Sequence, residues 1–166
     1  MEKLITHGKK ILRENSIQMM LWAGFVSGTL DGMAASSVFY LTQGLYPDQV
    51  MQFIASAIFG PEAFKGGTPM IITGIIAHYL IAIAFAGFYF ALLPFFKILR
   101  QKPVISGLTF GAFIWLLMNL AVLPLSAIQS PPIDLTGAII SILWHMILVG
   151  LPISLIAKRQ YDVGNQ

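Results

Sequence analysis

The sequence predicts an all-α, polytopic membrane protein: a bundle of four transmembrane helices with one short interfacial helix in its outer loop. Three observations carry that prediction. Hydrophobic residues make up 57% of the 166 and charged residues only 10%, whereas about a quarter of a soluble domain is charged. Four apolar runs each exceed the ~18 residues a spanning helix needs. Nine of the ten Lys and Arg residues fall on one side of the topology those runs imply, as the positive-inside rule requires. Together the runs use nearly the whole chain, so residues 1–166 form one membrane domain.

The polar stretch MEKLITHGKKILRENS is too long before its first apolar run for a cleaved signal. It reads as a basic amphipathic arm on the cytoplasmic face. Span one runs from about 17 to 41 and carries Gly24, Gly28, Gly32 and Ser36 at every fourth position. That spacing leaves a groove along one helix face for close backbone approach. In the long outer connection, Pro47 and Asp48 suit a helix start. Val50, Phe53, Ile54, Ala57 and Ile58 then recur at helical spacing until Gly60 and Pro61, giving an interfacial helix over about 48–60. It is too short to span.

Span two covers about 69–96 and holds Gly74, His78, Ala82 and Ala86 in one row; span three covers about 104–128 with Gly107 and Gly111. Span four covers about 135–157, where Gly137 and Ser141 precede His145. Pro124 and Pro152 free carbonyls one turn earlier, which neighbours must satisfy. Lys3, Lys9, Lys10 and Arg13 precede span one, Lys97, Arg100 and Lys102 join spans two and three, and Lys158 and Arg159 follow span four. Only Lys65 falls on the outer side, with Asp48, Glu62 and Asp134. Both termini are therefore expected in the cytoplasm, with the chain multi-pass in an inner membrane.

Each span contributes one polar residue: Asp31, His78, Asn119 and His145. At ~1.5 Å per residue, Asp31 and His145 fall within about 3 Å of the midplane, and His78 and Asn119 about 6 Å to its outer side. An ionisable group there costs roughly 2.5 to 3.5 kcal/mol on insertion scales, so these side chains are expected to face inward and find one another. The expected layer pairs Asp31 with His78 or His145, and Asn119 supplies an amide. Trp144, next to His145, is expected to face lipid or a packing seam.

Three readings of the layer stay open: a register-fixing device, a proton relay or binding point of a small transporter, and ligation. In the last, two histidines hold a haem b axially, or a metal with Asp31 as third ligand. No cofactor is expected otherwise. With no cysteine in the chain, thiolate chemistry is excluded. Ser27 stands one turn before Asp31, a composition too common to define a triad, and no enzyme activity is expected. The pI near 9.3 reflects topology signals rather than nucleic-acid binding.

The segments GTLDGMAAS (28–36), FKGG (64–67), AHY (77–79), MNLAVLPLSA (118–127) and HMILVGLP (145–152) resemble small bacterial four-helix inner-membrane proteins. A looser likeness is to the YagU-like membrane proteins. The resemblance covers most of the chain and implies fold and location; it implies no activity. The expectation is thus a small transport-related or accessory protein acting through its polar layer. The alternative is a scaffold or assembly subunit whose small-residue grooves bind a second copy or another membrane protein.

Overall fold

The computed structural model describes the backbone of residues 2–128 and 135–164, and side chains over 16–128 and 135–160. The side chains of the basic arm and of the polar tail, and the connection 129–134 with Asp134, lie outside the described residues. Among those described every regular element is helical.

Helix α1 runs unbroken from Glu2 to Gln43, 42 residues. The expected arm and span one are therefore one rod. No Gly or Pro lies between Lys9 and Ala23, so nothing interrupts the backbone ladder where polarity changes. The rod stops at Gly44, whose φ of 69° is the left-handed conformation of a helix C-terminus.

Helix α2 (Pro47–Phe59) follows. Pro47 opens it, and the Tyr46 N–H donates to Gln49 Oε1 at 2.9 Å. A 3₁₀ segment, Gly60–Lys65, leads into α3 (Gly67–Leu92). Short α4 (Lys97–Gln101) and α5 (Pro103–Leu117) come next. Helix α5 continues through a π turn, Met118–Val122, into α6 (Leu123–Leu125). Helix α7 (Leu135–Trp144) likewise passes through a π turn, His145–Gly150, into α8 (Leu151–Gly164).

Among the described residues, three helical rods are long and apolar enough to cross a membrane: Gly67–Leu92, Pro103–Leu125 and Leu135–Gln160. Helix α1 is not among them, although four were expected. Its apolar stretch is diluted by Ser27, Thr29, Asp31, Ser36 and Ser37 and by three glycines.

The rods pack in two pairs. Helix α1 meets α3 along its glycine row: a Cβ on Gly24 would lie 2.6 Å from Ile83 Cα, one on Gly28 3.0 Å from Ala82 Cβ, and one on Gly32 3.3 Å from His78 Nε2. Helix α5 meets the fourth rod through Gly107 and Gly111. A Cβ on Gly107 would strike Ser154 Oγ, and one on Gly111 the carbonyl of His145. Both glycine rows are therefore filled from within the chain.

At the end carrying the basic loop, Ala23, Ala86, Tyr89, Phe110, Ile114, Val149, Ile153 and Ala157 form the buried core. Tyr89 shares a hydrogen bond with Ser106 Oγ at 3.0 Å. Towards the other end, α2 lies on α3, with Gly74 under the Met51 carbonyl, and the Ala127 N–H donates to Ala57 O at 3.0 Å. Burial on the α5–α7 side ends midway: α6, α7 and the first π turn contain no buried residue.

Candidate functional site

Where the packed core ends, Asp31 stands on α1, continuing the row of Ala23 and Ser27, both fully buried. That row faces the fourth rod, which brings Trp144 and His145 to the carboxylate. The Trp144 indole N–H donates to Asp31 Oδ1 at 2.8 Å. His145 Nε2 lies 3.7 Å from the same oxygen. Indole and imidazole stack with centroids 5.4 Å apart and planes 22° from parallel. The Asp31 and His145 side chains keep 22% and 15% of their surface exposed, so the site is half-buried.

Local backbone explains the geometry. A proline has no N–H, and its ring crowds the carbonyl four residues back. Here the residue before Pro152, Leu151, donates to Met146 O, five positions back. This widens the turn into the π form. Trp144 stands just before the π turn and His145 opens it, and both side chains address one carboxylate. The expectation that Trp144 faces lipid or a seam is corrected on this ground.

His145 is oriented by its own helix: Nδ1 is 2.7 Å from Ser141 O. A carbonyl oxygen only accepts, so Nδ1 carries the hydrogen. The Ser141 hydroxyl accepts the Trp115 indole N–H at 2.7 Å and bonds to Gly137 O at the same distance. Trp115 is thus tied to the same turn from α5.

The other two polar residues go elsewhere. His78 Nε2 lies 2.7 Å from Gly28 O, so it donates to the α1 backbone rather than to Asp31. Beside it, Tyr79 OH and Thr29 Oγ1 share a hydrogen bond of 3.0 Å. Asn119 Nδ2 donates to Trp115 O at 2.9 Å, back into its own helix. The expected four-residue layer is therefore not one hydrogen-bonded network: Asp31 and His145 meet, while His78 and Asn119 bond to backbone. Ser27 donates to Gly24 O at 3.2 Å and points no hydroxyl at the carboxylate.

Trp115, not among the candidate residues, was marked by its row: Gly107, Gly111, Trp115 and Asn119 follow one another at every fourth position, on the face that α5 turns to the fourth rod.

The two histidine rings are each held on a backbone carbonyl, His78 through Nε2 and His145 through Nδ1. A groove of about 350 Å³ between α3 and α5, lined by Ile81, Phe85, Phe88, Phe113, Leu117 and Met118, contains neither of them. Among the described residues no group of three His, Asp or Glu side chains could hold a metal ion. No protein-family model, curated protein or solved structure matches the chain.

Proposed function

We propose that the chain is a four-span bacterial inner-membrane protein, with both termini and the basic loop in the cytoplasm. In this reading it serves as a small transport-related or accessory protein through the site at Asp31. The observation that carries the reading is the carboxylate itself, held by an indole N–H at 2.8 Å and faced by an imidazole at 3.7 Å. An ionisable group at that depth is costly and points to function by default.

The fourth span is α1. Its glycine row lies directly on α3, one of the three rods apolar enough to cross, and Gln160 Nε2 donates to Ser16 Oγ at 3.3 Å, aligning its end with that of α8. Its polar side chains sit against other helices or bond back to their own carbonyls, as Thr29 and Ser37 do at 2.8 and 2.7 Å. A cysteine-free chain allows a direct test of topology. Single cysteines at Lys9 and at Gln101 are expected to react with a membrane-impermeant maleimide from one side of the membrane, and one at Tyr46 from the other. Labelling of the Lys9 position from the same side as Tyr46 rejects the fourth span.

A scaffold role rests on small-residue grooves open to a partner, and those grooves are filled by the chain's own helices. Asp31→Asn, His78→Ala and His145→Gln separate the two readings. A working site predicts folded, monodisperse protein of unchanged oligomer size in detergent for all three. Loss of the folded species in all three supports a structural role.

A further inference from the structure

The site at Asp31 has an unbalanced set of hydrogens, and the imbalance identifies what it takes up. His145 Nδ1 donates to Ser141 O at 2.7 Å, which in the neutral ring leaves Nε2 as a bare lone pair. That lone pair faces Asp31 Oδ1 at 3.7 Å. Oδ1 is also an acceptor, and the hydrogen it receives from Trp144 is bound to the indole nitrogen. Two acceptors thus face one another across a gap wider than a hydrogen bond.

The geometry points to a proton as the ligand of this site, taken from water onto His145 Nε2 and shared with Asp31 Oδ1. This rests on reading the site as the working part of the protein. One O–H bond of a hydronium ion breaks, leaving water, as one N–H bond forms; the ring becomes imidazolium, the new N–H donates to the carboxylate, and the pair passes from a net charge of −1 to zero. The Trp144 ring stacks on the imidazole with centroids 5.4 Å apart. Both side chains keep part of their surface exposed, so neither is sealed within the bundle.

No other titratable group competes at this position. Between Ser16 and Gln43, α1 carries only Asp31 and Tyr40; α5 and α7 carry none. From α3 come His78 and Tyr79, bonded to Gly28 O and Thr29 Oγ1. Lys158 and Arg159 stand near the far end of α8.

The test is long-range ¹H–¹⁵N correlation on the full chain in micelles, labelled with ¹⁵N-histidine and stepped through pH. His145 is assigned through its contact with the Trp144 ring. The expected result is a neutral Nδ1–H tautomer that gains a second hydrogen at Nε2 on acidification. That new Nε2–H should resonate downfield, and the displacement should be lost in Asp31→Asn. A neutral Nε2–H tautomer overturns the inference, as does a ring that never gains the second hydrogen. So does an Nε2–H resonance that stays in place in Asp31→Asn. Each of these failures leaves the Asp31 site intact as a site for another ligand, since that reading is decided by the folding of the three variants above.

Discussion

The chain contains the same local device twice, and only one copy reaches across to another helix. Residues 118–124 read MNLAVLP and residues 146–152 read MILVGLP. In each, the Leu before the Pro donates its N–H to the Met five positions back, and the helix widens into a π turn. The first turn has no buried residue, and its Asn119 bonds to its own helix. The second buries Val149 and Gly150, and the histidine that opens it faces Asp31. π turns are frequent at functional sites, but a proline and a widened turn are not sufficient. A site needs a neighbour close enough to meet the displaced side chain. Gly111 and Gly107 let α5 press on the second turn, and α1 supplies the carboxylate.

The strongest way to break this contrast is Gly111→Leu. The side chain would enter the space of the His145 carbonyl, and the overpacking is expected to cost about 3 kcal/mol, read as a lower midpoint of unfolding in detergent. Next comes Asp31→Ala, which leaves the Trp144 N–H without its acceptor. A loss of about 2 kcal/mol is expected, most of it recovered by Asp31→Asn, whose amide oxygen still accepts. Should Asp31→Ala unfold at the wild-type midpoint, the Trp144 bond contributes nothing to stability.

Pro152→Ala restores a backbone N–H and lets the second turn close into ordinary helix, a change worth about 1 kcal/mol. Its sharper readout is the Trp144 indole N–H resonance, which should shift as the ring leaves Asp31; Pro124→Ala should leave that resonance where it was. The smallest effect belongs to Asn119→Ala. A hydrogen bond returning to the same helix is expected to contribute about 0.6 kcal/mol or less, so a large loss of stability there would place Asn119 in the site after all.

How far the sequence foretold this structure depends on the element. The rods α3, α5–α6 and α7–α8 were legible because their apolar runs are long and unbroken. Helix α2 was legible from Pro47 and Gly60, its start and stop. The continuity of α1 was hidden, since a shift from polar to apolar composition looks like a boundary although backbone hydrogen bonding ignores it. At the site, Asp31 and His145 stood out by the cost of burying them. Their partner Trp144 did not, because regular helical spacing turns residue 144 away from the direction of 145. Pro152 signalled a missing N–H, and Pro124 and Pro152 each follow a turn widened to the π form.

The two glycine rows have a mechanical consequence. Where backbones touch without intervening side chains, helices are locked against sliding, so α1 with α3 and α5 with the fourth rod are two stiff halves. The boundary between the halves is bridged by Tyr89 and Ser106 and by Gln160 and Ser16 at one end, by Ala127 and Ala57 at the other, and by Asp31 and Trp144 between them. Any shear of one half past the other acts on the middle bridge while both glycine seams stay closed. The carboxylate thus lies on the boundary between the halves, where any movement of one against the other changes its distance from Trp144 and His145.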